Sequence, residues 1–322
     1  MNISTEIKTI LNEFVTKGNT GIQFDFSDNG GIELKAGKLK VFYVLEFVKN
    51  ITRPVLALIL SKTYKKKSLL VSDYINPVIS EELKSNNLNF LDAQGNCFIS
   101  SGNLYVYIKG MKKNNNTVVL RKNNYNITDI KLIFSLLADE TLIKESQRHM
   151  AAASEIPLGS VGLILNKLRE QNFLISLPDG YRLNNKQALF EKWCVAYNEK
   201  FRPKIFLGKF RGALSVNEVI EGKWSGESAA YLLKKLFKPE LMTVYIGKEK
   251  LNKFLLTNRL IKDPAGNIEI YDSSWLNNDI DEKFNVTVHP FIIYADLLST
   301  GNQRIIETAK TIYGDFIEDK LG

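Results

Sequence analysis

The stretch from residue 127 to 185 constrains the fold more than any other part of the chain. Its apolar residues keep a helical period three times over and then switch to alternation. Ile130, Ile133, Phe134, Leu136 and Leu137 share one helical face behind a capping Thr128. Ser146 to Ala153 predicts a second helix, and Ser154 to Pro157 a short break. A third helix is expected from Leu158 or Gly159 to Gln171, with Val161, Ile164, Leu165 and Leu168 turned inward. Phe173-Leu174-Ile175, the turn Pro178-Asp179-Gly180 and Tyr181-Arg182-Leu183 then predict two short paired strands. Small residues at Ala151, Ala152, Ala153, Gly159 and Gly162 let the second and third helices approach closely. Three helices followed by a hairpin is the order of a winged helix-turn-helix.

That order points to double-stranded DNA, because a rigidly held third helix fits a major groove about 12 Å wide. Pro157 would fix the turn, and the outward residues would be Ser160, Asn166, Lys167 and Arg169. Ser160, near the helix start, suits a phosphate or a base edge. Asn166 suits a base, and Lys167 and Arg169 suit phosphates. Arg182 on the hairpin suits the backbone or the minor groove. His149 reads as a surface or capping residue. The same module also serves as a protein-docking scaffold, and this one is poor in charge. Between Lys144 and Lys186 six basic residues face four acidic ones, a surplus of two.

The whole chain has 322 residues and a formal net charge of +8. Hydrophobic content of 44% and charged content of 24% fit a soluble globular protein of two or three domains. The longest apolar run, Val55 to Leu60, is far short of a membrane span. Glu6, Lys8, Glu13 and Lys17 interrupt the first twenty residues, so no secretory signal is expected. Cys97 and Cys194 read as free thiols of a reducing cytoplasm, and only His149 and His289 could supply imidazole. No metal site and no cofactor is therefore expected. The positive charge lies mainly outside the central module. Lys62, Lys65, Lys66 and Lys67 cluster early. Lys109, Lys112, Lys113, Arg121 and Lys122 precede the module, and Lys200, Arg202, Lys204, Lys209 and Arg211 follow it. Stretches of this kind favour an acidic partner.

The chain is thus expected to be a multidomain α/β (α+β) protein. Residues 1–125 form an N-terminal α/β domain, 126–189 the winged helix-turn-helix, and 190–322 a C-terminal mixed α/β domain. In the first, Ile3, Ile7, Ile10, Leu11 and Phe14 predict a helix ending near Gly18, and Ile22 to Phe26 and Ile32 to Lys35 predict strands around Asn29-Gly30-Gly31. Leu39 to Val48 reads as a more buried strand, Arg53 to Ser61 and Pro77 to Ser85 as helices, and Leu69 to Ser72 as a buried strand. Phe90-Leu91, Cys97 to Ile99 and Leu104 to Ile108 follow as strands. The polar stretch Lys112 to Asn126 is a loop-rich boundary with room for one edge strand. In the last domain Phe190, Trp193, Tyr197 and Phe201 form an aromatic packing face. Glu227 to Leu236 predicts a helix, and Thr243 to Ile246 and Asn267 to Tyr271 predict strands. Two terminal helices, Pro290 to Ser299 and Arg304 to Lys320, are separated by Gly301-Asn302.

No complete catalytic constellation appears. Gly18-Asn19-Thr20-Gly21 and the Asn29 turn lack the rest of a nucleotide-binding fingerprint. Metal-dependent nucleases combine acidic residues with a lysine. Asp25, Glu33 and Lys35 offer that combination, and Glu33 with Glu46 offers another, but Val48 stands where its lysine belongs. A residual nuclease is the enzymatic alternative to a DNA-binding regulator.

Four phrases give the chain a family resemblance. They are Leu91-Asp92-Ala93-Gln94-Gly95-Asn96, Ile156-Pro157-Leu158-Gly159-Ser160-Val161, Trp224-Ser225-Gly226-Glu227-Ser228-Ala229-Ala230 and His289-Pro290-Phe291-Ile292-Ile293-Tyr294-Ala295-Asp296-Leu297-Leu298. With them the chain resembles the AbiEi-type family of type IV toxin–antitoxin antitoxins and transcriptional regulators. The resemblance implies a non-enzymatic protein whose winged helix binds operator DNA and represses its own operon. It implies a nucleotidyltransferase-like toxin encoded nearby as partner, and it admits a homodimer. It also implies a degenerate restriction-endonuclease-like N-terminal domain, in which Glu46 and Asp92 are remnants or structural caps. In this family the winged helix often stands at the N-terminus, whereas about 125 residues precede it here.

Overall fold

The computed structural model describes residues 5–18, 21–26, 31–62, 67–112, 125–178, 180–218, 220–276, 284–300 and 302–322. Asn19, Thr20, Asn29, Gly30, Lys65, Lys66, Asp179 and Gly301 lie outside the described residues. So does 113–124, with Lys113, Arg121, Lys122 and the expected edge strand. The chain divides into two compact units, Met1–Leu120 and Arg121–Gly322.

In the N-terminal unit, helix α1 (Thr5–Gly18) buries Ile10, Leu11 and Phe14, which its period of 3.6 brings to one side. They pack on a sheet whose seven strands follow chain order. β1 (Ile22–Phe26), β2 (Gly31–Ala36) and β3 (Leu39–Phe47) form an antiparallel meander. Gly37, at φ +60°, makes the tight β2–β3 turn, a backbone conformation that glycine adopts without strain. Helix α2 (Arg53–Ser61), begun by Pro54, carries the chain to β4 (Ser68–Ser72), parallel to β3. Helix α3 (Pro77–Ser85) carries it to β5 (Asn89–Asp92), parallel to β4. β6 (Cys97–Ser101) and β7 (Leu104–Ile108) close the sheet antiparallel. Leu69-Leu70-Val71 is a continuous buried run because its strand is covered on both faces. The expectation of a buried Leu39 to Val48 is not met. Tyr43 is the buried residue of that strand, while Leu39, Phe42 and Val44 are exposed. Strand alternation turns Val41, Tyr43, Leu45 and Phe47 toward the core beneath α1 and Phe42 and Val44 to the opposite face, and Leu39 lies at the strand end.

The C-terminal unit begins with the three expected helices, α4 (Ile127–Ala138), α5 (Gln147–Ala153) and α6 (Leu158–Glu170). A 3-10 turn, Glu140–Lys144, joins α4 to α5. The hairpin follows as β8 (Leu174–Leu177) and β9 (Gly180–Leu183). Thr128 is not the cap of α4. Asn126 is, its Oδ1 accepting from the Asp129 amide at 2.9 Å while Asp129 accepts from the Asn126 amide at 2.6 Å. Helix α7 (Lys186–Ala196) runs through the expected boundary at 189/190 and continues as a π-helical turn, Tyr197–Phe201, into α8 (Arg202–Ile205). Trp193 on α7 donates its indole N–H to the Ile130 carbonyl at 3.0 Å and stacks on Phe134, so α4 and α7 share one core.

The rest of this unit is built on β10 (Phe206–Arg211), β11 (Lys223–Ser225), α9 (Gly226–Lys234) and β12 (Met242–Ile246). Next come α10 (Leu251–Thr257), β13 (Ile261–Lys262), β14 (Ile268–Asp272), α11 (Pro290–Ser299), α12 (Gln303–Phe316) and α13 (Glu318–Leu321). The strands order as β11-β12-β14-β10-β13, with β12 and β14 parallel. The expected helix from Arg304 to Lys320 is broken at Ile317, and β10 and β11 were not legible as strands.

Candidate nucleic-acid interface

Helix α6 is held by its inner face. Val161, Ile164, Leu165 and Leu168 are buried, and Met150 and Ala151 of α5 pack beside them. The turn between the two helices places Glu155 in the left-handed region, at φ +49°. Pro157 caps α6, and its carbonyl accepts from the Ser160 amide at 2.9 Å. Ser160 is half-buried in the first turn. Asn166 and Arg169 are exposed one turn apart. The Arg169 guanidinium donates to Asn166 Oδ1 at 3.3 Å and to the Tyr181 hydroxyl at 3.0 Å, and lies 5.3 Å from the Tyr181 ring centre. Arg169 therefore clasps α6 to the hairpin, and Arg182, exposed, is the next residue along β9. All five expected residues thus lie on α6 and its hairpin with part of each side chain open to solvent, and Asn166, Arg169 and Arg182 are the exposed ones.

Lys167 turns away from this group. Its ammonium donates to Asp129 Oδ2 at 2.6 Å and lies 5.8 Å from the Tyr125 ring centre. Asp129 is 1% exposed, and a carboxylate so buried needs a cation, which Lys167 supplies at 30% exposure. Two residues of the surface were missed by sequence reasoning. Tyr181 is one, because its value lies in a contact with Arg169 twelve positions away. Leu163 is the other. It is 72% exposed, and its absence from the inward set made it findable.

The basic stretches behave unevenly. Lys204 is exposed, but Lys200 donates to the Tyr125 carbonyl at 2.8 Å and Arg211 pairs with Asp263 at 2.8 Å. Lys109 pairs with Glu81. Arg202 is largely buried. Its guanidinium reaches Asp296 at 2.8 Å and Glu269 at 3.3 Å and covers the Tyr271 ring at 4.3 Å. Burial opposes the charged guanidinium, but Asp296 and the surrounding tyrosines outweigh it and raise the Arg202 pKa. Asp296 also accepts from Ser225 Oγ at 2.6 Å and from the Tyr245 hydroxyl at 3.0 Å, and Tyr245 shares a hydrogen bond with Tyr197. Burial raises the Asp296 pKa, against the pull of Arg202 and Ser225. The clue in the sequence was a lone aspartate in the apolar run of α11.

This cluster gathers the last two phrases of the sequence resemblance. Trp224 exchanges backbone hydrogen bonds with Val286 and Val288. Gly226, at φ +52°, lets the chain turn beside Thr243 and Asp296. Glu227 accepts from the Glu240 amide at 2.9 Å. His289 accepts from the Phe291 amide through Nδ1 at 3.2 Å and so caps α11. Burial, and secondarily Lys320, pushes the His289 pKa down to about 3. In the other unit, Asp92 has a matching structural role. It accepts from the Ile75, Gln94 and Asn96 amides at 2.8, 2.9 and 2.9 Å and from the Asn96 side chain at 2.8 Å.

The expected nuclease residues form surface ion pairs. Asp25 and Glu33 are cross-strand partners, and Lys35 pairs with Asp25 and approaches Glu33 at 3.9 Å. Its hydrogen bond to Asp25 raises the Lys35 pKa. Glu33 faces Phe42, four residues before Glu46, so the second candidate pair is separated by about 13 Å along the strand. Glu46 instead pairs with Lys62 at 2.9 Å. Among the described residues no group of three His, Cys, Asp or Glu is placed to hold a metal ion. No described helix is long and apolar enough to cross a membrane.

Residues 182–318 match the family described as transcriptional regulator, AbiEi antitoxin, type IV toxin–antitoxin system. The match runs from β9 into α13 and contains the Trp224 and His289 phrases, so the resemblance read from the sequence is borne out over this stretch. No curated protein and no solved structure matches the chain.

Proposed function

We propose, from the regulator family matched by residues 182–318, that this chain is a DNA-binding transcriptional regulator of the antitoxin kind that represses its own operon. The observation that carries the reading is the clasp of Arg169 between α6 and Tyr181 of the hairpin. It presents Asn166, Arg169 and Arg182 together on rigid elements, as a groove-reading helix and its wing require. Ser160 stands at the start of the same helix. The side-chain pairing of Lys167 with Asp129 supports a role for Lys167 in holding α6 against α4 rather than in meeting a phosphate.

In this reading the N-terminal unit is a restriction-endonuclease-like scaffold. Its hairpin-fed parallel strands support that, and the ion pairing of Asp25, Glu33 and Lys35 supports its lack of a nuclease role. The partner is a nucleotidyltransferase-like toxin in the cytoplasm, and two copies of the chain would read two half-sites about 34 Å apart. A gel-shift assay on the DNA upstream of the chain's own gene tests the reading. Retardation is expected, with Arg169→Ala and Arg182→Ala each weakening it roughly five- to tenfold. Failure of a folded sample to retard that DNA at low salt would sink it.

A further inference from the structure

We propose that Leu163 is the specificity-determining residue of α6, reading the 5-methyl group of thymine on the floor of the major groove. The inference rests on the DNA-binding reading above. Gly159, Leu163, Asn166 and Glu170 follow at spacings of four, three and four, so they form the outermost line of the helix. Leu163 is 72% exposed at its centre. It has no place inside, because Val161, Ile164, Leu165 and Leu168 already fill the inner face.

The two glycines make the stronger argument. Glycine weakens a helix relative to alanine, so the fold should use it only where a methyl group cannot fit. A Cβ at Gly159 would meet nothing within 4 Å, and at Gly162 it would come no closer than 3.6 Å to Gln147 Oε1. Neither residue has a positive φ. The packing of this unit therefore does not demand either glycine. Their effect is to lower the helix surface around Leu163, which lets the backbone sink toward base edges and puts the leucine methyls within reach of them.

The chemistry of the line selects the ligand. Apolar side chains contact the thymine methyl group, and asparagine pairs with the N6 and N7 edge of adenine. Leu163 and Asn166, one turn apart, thus suit neighbouring A·T pairs. Arg169 and Arg182 lie to the side, where the anionic backbone of a duplex would run and where an apolar protein partner would gain nothing from them.

The test replaces each thymine of the upstream DNA by uracil, which removes only the methyl group. Wild-type protein should bind roughly three- to fivefold more weakly at one or two positions. Leu163→Ala should bind more weakly overall and lose that discrimination. Gly159→Ala with Gly162→Ala should raise the melting temperature while weakening DNA binding. Equal binding of thymine and uracil duplexes by the wild type, or unchanged discrimination by Leu163→Ala, would overturn the inference and leave the DNA-binding reading intact. No binding to either duplex would overturn both. A change of oligomeric state on Leu163→Ala, with DNA binding unaffected, would overturn it in favour of a protein interface.

Discussion

Lys167 shows how a side chain's role depends on what lies across from it. The helical period predicts an outward Lys167, but its partner Asp129 is 38 positions earlier and becomes visible only when α4 packs on α6. Removing the ammonium leaves a buried carboxylate without its cation. Lys167→Ala should therefore cost about 1–3 kcal/mol of unfolding free energy. DNA affinity should stay nearly unchanged, whereas Arg169→Ala should do the reverse. Chemical denaturation and the shift assay together separate the two. His289 makes a pH prediction at the same scale. Its folded pKa of about 3 lies below its ordinary 6.5. Between those values the unfolded chain binds a proton that the folded chain does not. The stability contribution is thus complete above pH 6.5 and is lost as pH falls toward 3, on the order of 5 kcal/mol in all. His289→Asn, which keeps an acceptor for the Phe291 amide, should flatten that part of the stability profile.

At the scale of elements, helices with their own punctuation were the most legible. Arg53–Ser61, Pro77–Ser85 and Pro290–Ser299 each start at or beside a proline, and the expected bounds match those observed. The α5–α6 pair and the hairpin were legible for the same local reason. β10 was not. Phe206–Arg211 carries Lys209 and Arg211, so it reads as a basic surface stretch, yet it pairs with both β13 and β14. Only tertiary pairing makes it a strand. The buried cluster at Asp296 was illegible in the same way, because Arg202, Ser225 and Tyr245 come from separate elements. Its energetics should be strongly coupled. Arg202→Met leaves the buried Asp296 without its cation and should cost about 3–5 kcal/mol, whereas Asp296→Leu leaves Arg202 still paired with Glu269 and should cost less. The double substitution should cost clearly less than the two single values added together. Equal, additive losses would mean that the two groups do not act as a pair.

For the whole molecule, the recognised phrases and the proposed DNA surface have different jobs. The Asp92, Trp224 and His289 phrases hold turns, caps and a buried network, and the last two lie within the stretch that matches the regulator family. The proposed chemistry lies on the outer face of α6 and its wing, where side chains are open to solvent. The +8 charge has the same lesson. Several of its basic residues, Arg202 and Lys167 among them, are paired with buried carboxylates of the protein. The proposed DNA surface would then rely on a few well-placed arginines, and its affinity should respond to salt accordingly. The most direct measurement is binding to the upstream DNA across a salt series, for the wild type and for Arg182→Ala. The account predicts a linear fall of log K with log salt, and a slope smaller by about one for the variant. A folded protein with no affinity at low salt, or one whose slope is untouched by Arg182→Ala, would contradict it.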